Sequence, residues 1–260
     1  MLITLTTDFG TSDPFVGIMK GVIFRINPHA QVTDLSHGIP PQDIMPAALL
    51  LRHAIGYFPS GTVHVVVVDP GVGSSRNPLL IDFEGNYLIG PDNGVLSLAL
   101  EGKRPTRIIR LSNTTYQLQP TSATFHGRDI FAPAAAHLSL GIAPEALGEP
   151  TDSFVRLSCR KPVRTEQAII GEISYIDAFG NLFTNIHADH LPQRPRDKLK
   201  IMFGAVSIQG LAHNYAAVAQ GDYVALINSW ELLEIAVCKD SAQKRSGAMI
   251  GDKVEVTWDF

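Results

Sequence analysis

The pattern of apolar and polar positions changes character partway along the chain. In the first half, short apolar runs alternate with helical spacing. Leu2 to Thr6 reads as a strand closed by Thr7-Asp8-Phe9-Gly10. Phe15, Ile18, Met19, Val22 and Ile26 follow at helical spacing, with Asp13 as N-cap and Pro14 at the first helical position. Gln31 to Leu35 is a second strand, Asp43 to Tyr57 a second helix, and Thr62 to Val68 a third strand. That third run is almost pure valine, the pattern of a strand buried on both faces. The order strand, helix, strand, helix, strand predicts parallel βαβ units, whose right-handed crossovers leave the strand ends on one edge.

A hairpin is expected next, from Leu79 to Phe83 and Tyr87 to Ile89, then a short helix, a strand at Arg107 to Leu111 and a helix from Asp129 to Leu140. Pro144, Pro150 and Pro162 interrupt the following stretch, which reads as a linker. Beyond it the texture is of short strands without intervening helices: Ile169–Ile176, Leu182–Asn185, Lys198–Phe203, Val224–Ile227, Leu232–Val237 and Lys253–Trp258. Strands separated by Gly, Asn and Asp turns predict an antiparallel barrel or sandwich. The expected division is an α/β N-terminal domain at 1–141, a linker at 142–166 and a C-terminal β domain at 167–260.

Composition narrows the function classes. The chain has 260 residues, 45% hydrophobic and 18% charged, with a formal net charge of -4. This balance describes a globular protein and argues against nucleic acid as partner. The basic cluster Arg156 to Arg164 contains no aromatic residue on which a base would stack. Cys159 and Cys238 lie far apart, which suggests free thiols in a reducing cytoplasm. No apolar stretch approaches membrane-spanning length and the N-terminus lacks the regions of a signal peptide.

Candidate chemistry sits in four polar turns: Thr7-Asp8-Phe9-Gly10, Asp69-Pro70-Gly71-Val72-Gly73, Pro91-Asp92-Asn93-Gly94 and Phe125-His126-Gly127-Arg128-Asp129. Turn Asp and Asn often only cap helices or form Asx-turns, the role assigned here to Asp92, Asn93 and Asp129. Asp8 and Asp69 instead follow strand C-termini, where open α/β sheets bind ligands. Arg76 returns close behind Asp69, near enough for the turn to bring guanidinium and carboxylate together. In the second domain, Asp177-Ala178-Phe179-Gly180-Asn181-Leu182-Phe183-Thr184-Asn185 fits either a ring-faced purine pocket or a hairpin with core aromatics. The histidines show no H-E-x-x-H spacing, and neither a Walker loop nor a G-x-S-x-G elbow is present.

Taken in order, TDFG, VVDPGVGSSR, PDNG, FHGRDIFAPAAA, DAFGNLFTN and NSWELLEIAV resemble the S-adenosylmethionine (SAM) hydroxide adenosyltransferase family, relatives of the SAM-dependent fluorinases and chlorinases. The resemblance runs from Thr7 to Val237. It implies a Rossmann-like α/β N-terminal domain and a smaller C-terminal antiparallel β-barrel, assembled as a homotrimer with active sites between subunits. It also implies hydrolysis of SAM to adenosine and L-methionine, by water attacking ribose C5′, with no metal or other cofactor. The family's catalytic triad falls on Asp69, Arg76 and His126. Halogenating relatives carry Tyr at the Asp69 position. Asp8 takes the ribose-hydroxyl position, and Asp13 and Asp177 those around the methionine part. Asn181, Ser229, Glu234 and Val237, the last through its backbone, take adenosine-binding positions. Trp230-Glu231 departs from the small residue and Gly common in relatives.

On the chemistry expected, Arg76 is the fixed cation that lowers the pKa of water, while Asp69 and His126 accept its hydrogen bonds. The alternatives are halide transfer, a non-catalytic adenosine- or SAM-binding protein, and a metal-dependent hydrolase with Asp8, Asp69 and His126 as ligands.

Overall fold

The computed structural model describes residues 1–192 and 196–258. The chain forms two compact units, Met1–Ser158 and a second from Cys159 onward.

The first unit is α/β. Its strands are β1 (Leu2–Thr7), β2 (Gln31–Ser36), β3 (Val63–Val67), β4 (Pro78–Phe83), β5 (Asn86–Pro91), β6 (Arg107–Arg110) and β7 (Glu149–Pro150). They form one sheet in the order β2-β1-β3-β5-β4-β6-β7. β2, β1, β3 and β5 run parallel, whereas β4, β6 and β7 join antiparallel. Every residue of β3 is buried, as the valine run predicts, and each fully buried valine there contributes on the order of 1.5–3 kcal/mol. The chain leaves β1 toward β2 and leaves β3 toward the opposite side of the sheet. Loops diverging from adjacent parallel strands open a crevice at their carboxyl ends.

Three helices serve this sheet: α1 (Phe15–Ile26), α2 (Ile44–Ala54) and α3 (Ala132–Ser139). The cap of α1 is Pro14, not Asp13; its φ of -77° is already helical and its carbonyl accepts from Ile18 N–H at 2.8 Å. α1 buries Val16, Met19 and Ile23 with α3 residues in one core that includes Ile3, Leu5 and Val65. A second core on the unit joins Leu51 of α2 to Val66, Val68 and Leu79. The helix expected from Asp129 begins instead with a π-helical turn, Gly127–Phe131, that runs into α3. Part of the segment read as linker is structured. Pro144–Leu147 makes a 3-10 turn, β7 pairs with β6, and Phe154 packs on the second core.

The second unit is a nearly closed antiparallel barrel. Its strands are β8 (Val163–Arg164), β9 (Ala168–Ile176), β10 (Leu182–His187), β11 (Lys200–Phe203), β12 (Val206–Gln209), β13 (Tyr223–Ile227), β14 (Leu232–Val237) and β15 (Lys253–Thr257), with one short helix, α4 (Ala242–Ser246). The order is β12-β11-β15-β9-β10-β14-β13, with β8 beside β9. Just past β12, Ala212 bridges Leu226 of β13 and donates to the Ala225 carbonyl at 2.8 Å, which brings the two ends of the sheet together. Alternate residues such as Leu233, Ile235 and Val237, or Val254 and Val256, fill the interior. The expected strands agree closely, while β8, β12 and α4 were not expected.

Candidate active site

In the first unit, Thr7 of β1 lies level with Val67 of β3, so Asp8 and Asp69 emerge at the same edge. After Asp69 the chain makes two tight turns, closed by Val72 N–H to the Asp69 carbonyl at 3.2 Å and Ser74 N–H to the Gly71 carbonyl at 3.0 Å. Arg76 is thereby folded back onto Asp69. Its Nε donates to Oδ1 at 3.1 Å and to Oδ2 at 3.0 Å, and its Nη2 also donates to Oδ2. Both side chains are withdrawn from solvent, 9% and 5% exposed respectively. A desolvated fork of this kind fixes the guanidinium plane. The Arg76 guanidinium also lies 5.5 Å from the ring centroid of Phe131, within cation–π range.

His126 completes the cluster from far along the chain. Arg76 Nη2 and His126 Nδ1 are 2.7 Å apart. A guanidinium nitrogen has only donors to offer, so Nδ1 accepts and the proton of the neutral ring sits on Nε2. Burial, and next the Arg76 charge, hold His126 below its ordinary value, with Asp69 and Asp129 opposing. The acceptor nitrogen expected to face a water is therefore already engaged by Arg76. Arg76 Nη1, in contrast, is buried and has no hydrogen-bond partner.

Two backbone features bring the parts together. A Cβ on Gly73, at φ +77°, would lie 2.3 Å from the Ala123 carbonyl oxygen; only glycine lets the Arg76 turn approach the strand of chain leading to His126. The π-helical turn beginning at Gly127 places His126 at its N-terminal boundary, a geometry frequent at functional sites. Buried Asp129 ties it down by accepting from Ser122 N–H at 2.8 Å and from the Arg128 guanidinium at 2.6 and 2.9 Å, a structural tie in place of the helix cap or Asx-turn expected of it. Phe125 packs edge-on against Phe9 and Phe15 at 5.9 and 5.3 Å, joining this loop to the one after β1.

Asp8 accepts at Oδ2 from Gln42 N–H at 2.7 Å, and Gln42 itself is held at φ +66°. Asp13 is exposed, one residue before the α1 cap. Asn93 makes the expected Asx-turn, accepting from Val95 N–H and donating to the Val68 carbonyl at 2.8 Å, whereas Asp92 makes a long-range tie, accepting from Val155 N–H. Gln42 was not expected, and no sequence signal marks it because only its backbone is used.

In the second unit, Asp177 and Asn181 close one turn. Asp177 Oδ1 accepts from Phe179 and Asn181 N–H at 2.9 and 2.8 Å, and Oδ2 from Asn181 Nδ2 at 3.0 Å. Across the neighbouring strands the register sets Tyr175, Phe183, Glu234 and Leu226 in a row. Trp230 packs on Phe183 and Tyr175 at 5.0 and 5.4 Å, so three rings cluster around Phe183, the cross-strand neighbour of Glu234. Glu234 is fully buried. Burial raises its pKa above the ordinary carboxylate value, with Tyr215 and Asn228 opposing and Asp177 adding to the rise. Ser229 is exposed in the hairpin between β13 and β14; Val237 is buried and its carbonyl accepts from Asp240 N–H at 3.2 Å. Among the described residues, no group of three or more His, Cys, Asp or Glu converges as a metal ion would need.

Comparison with known proteins bears on both units. Residues 3–148 match the SAM hydroxide adenosyltransferase N-terminal domain, and residues 171–255 its C-terminal domain. The (R)-S-adenosyl-L-methionine hydrolase of Thermus thermophilus is 37% identical, over 96% of this chain and 97% of that protein. A fluorinase from an Actinoplanes species is 28% identical, over 90% of each. Among solved structures, an uncharacterized conserved protein from Thermotoga maritima superposes with a TM-score of 0.92 at 36% identity, covering 99% of this chain and 100% of that one.

Proposed function

This chain belongs to the SAM hydroxide adenosyltransferase family, and on that footing we propose that it hydrolyses S-adenosylmethionine to adenosine and L-methionine. The observation that carries the reading is the Asp69–Arg76–His126 cluster at the sheet edge. The leaving group is a neutral thioether expelled from a sulfonium, so no acid is needed to protonate it. The nucleophile is the difficulty. Arg76 supplies a fixed cation whose Nη1 has no protein partner; a water held there becomes a better source of hydroxide.

Asp69 accepts the water's proton or its hydrogen bond at Oδ1, which takes one bond from the Arg76 fork whereas Oδ2 takes two. His126 holds the guanidinium from its other side. The O–C5′ bond forms as C5′–S breaks, and the bonding pair stays on sulfur. Positioning and a dry site lower the barrier by several kcal/mol between them.

We assign the ribose hydroxyls to Asp8, the methionine part to Asp13 and Asp177, and adenosine to Asn181, Ser229, Glu234 and the Val237 backbone. The reaction runs without a metal on this reading, so EDTA leaves turnover unchanged, and a loss restored by a divalent cation would overturn it. We further propose a cytoplasmic homotrimer with sites shared between subunits, which a monomer in light scattering would refute.

The deciding experiment is turnover of SAM in oxygen-18 water with mass spectrometry of the product. Label in the 5′-hydroxyl of adenosine is expected; unlabelled adenosine refutes attack at C5′. The same assay with chloride or fluoride detects a 5′-haloadenosine if halide transfer is the true reaction. The name of the T. thermophilus relative specifies the R sulfonium, so the separated epimers are to be compared, with higher kcat/KM expected for R.

A further inference from the structure

Glu234 is an unusual carboxylate among the described residues. On β14 it alternates with Leu233 and Ile235, which fill the barrel interior, so it points to the other face. Even so it is 0% exposed. A carboxylate so placed needs its lone pairs satisfied. Tyr215 OH donates to Oε1 at 2.8 Å, whereas Oε2 is buried with no hydrogen bond. Tyr215 sits in a 3-10 turn capped by Asn214, whose side chain accepts from Ala216 N–H at 3.0 Å.

The second neighbour is Asn228. Its Oδ1 accepts from Trp230 and Leu232 N–H at 2.9 and 3.2 Å in the β13–β14 hairpin. That leaves Nδ2 buried without a hydrogen bond, yet close enough to Glu234 to favour the ionised carboxylate. Oε2 and Nδ2 thus have at most each other, in a weak contact, next to the rings of Phe183 and Trp230. A flat base stacking on those rings and offering an amine beside a ring nitrogen would satisfy both.

We propose that Tyr215, with Asn228, is a positioning residue that aims Glu234 at the exocyclic amine of adenine and so sets the preference for adenine over its deaminated form. The inference rests on the reading that this unit holds adenosine. A hypoxanthine base presents a carbonyl where adenine presents the amine, so an acceptor would face an acceptor; a site built around a hydrogen bond rejects such an analogue strongly. Asp177 is the charged group that acts on Glu234, and Tyr215, whose phenol burial pushes up further, remains a donor at any working pH.

The test is steady-state kinetics with SAM and with S-inosylmethionine, for wild type, Tyr215→Phe, Glu234→Gln, Asn181→Ala and the double variant Tyr215→Phe/Glu234→Gln, across pH 5 to 9. Tyr215→Phe should raise KM for SAM about tenfold with kcat within about twofold, the loss of one hydrogen bond to a charged group. It should also narrow the preference for SAM over the inosyl analogue. Removing the phenol's hydrogen bond raises the pH below which KM climbs, a change that simple loosening of the turn would not make. The double variant should be no worse than Glu234→Gln alone. Wild-type KM and pH profile in Tyr215→Phe, or additive losses in the double variant, would overturn the proposal. If Glu234→Gln and Asn181→Ala both leave KM untouched, the adenosine reading of this unit fails first; if only Tyr215→Phe is silent, that reading stands and the positioning role falls.

Discussion

Arg76 meets Asp69 through two N–H groups and His126 through one of the same nitrogens, a geometry lysine cannot copy with a single ammonium. Arg76→Lys should therefore lower kcat about a hundredfold or more while KM for SAM changes little, as measured by adenosine release. His126 protonation would turn Nδ1 into a donor facing the guanidinium. Because burial and Arg76 hold that pKa below 6.5, kcat should stay level as pH falls through 6.5 and drop only in more acidic buffer. A pH–rate profile that already falls at 7 would refute this. At this scale the sequence paired two of the three residues of the cluster, Asp69 and Arg76. Asp69 and Arg76 share one short turn, and turn residues constrain their separation. His126 lies fifty residues from Arg76, and no spacing rule links a sheet-edge turn to a loop on the far side of a hairpin; its polar turn stood out, but only the family resemblance joined it to Asp69 and Arg76. The tautomer of His126, and with it the partition of roles, depends on a distance that only the folded chain supplies.

The elements were more legible than the contacts between them. Valine runs and helical spacing located β1, β3, α1 and α2, because burial selects the same side chains that carry those patterns. β12 escaped because Val206–Gln209, VSIQ, offers only two apolar residues to a pattern search, and α4 because its sequence, AQKRS, has no apolar face. The π-helical turn escaped because its extra residue is invisible to a periodicity argument. Two turns offer direct tests. Gly73→Ala should push the Arg76 turn away from Ala123, cost about 1–3 kcal/mol in chemical denaturation and lower kcat at least tenfold. Glu231, in the β13–β14 hairpin, stands at φ +59°, where a side chain is strained. Only its backbone bonds into the barrel, through Ala188 N–H at 2.8 Å. Glu231→Gly should thus raise the thermal midpoint, by a stabilisation of about 1 kcal/mol.

For the molecule as a whole, a consequential titrating group outside the site is His64, the second residue of β3, with 0% exposure. Its Nδ1 lies 2.9 Å from Thr4 Oγ1, its Nε2 has no partner, and burial lowers its pKa to about 4. The unfolded chain takes up this proton near pH 6.5 while the folded chain resists until about 4. The unfolded state therefore binds more protons in that window, and stability falls as pH drops through it. Between pH 7 and 4 the wild type should lose about 3 kcal/mol more than His64→Val, read from urea denaturation at each pH. Equal losses would show that His64 is not the group responsible. The charge balance at the sheet edge has a different reach. Asp69 and Arg76 cancel and His126 is neutral, so the cluster that would handle a sulfonium carries no net charge. A cation arriving from solvent feels a dipole rather than an ion, and a dipole's field fades within a few ångströms. Nothing in that cluster repels the substrate at long range, and its arginine acts only on an atom already in place.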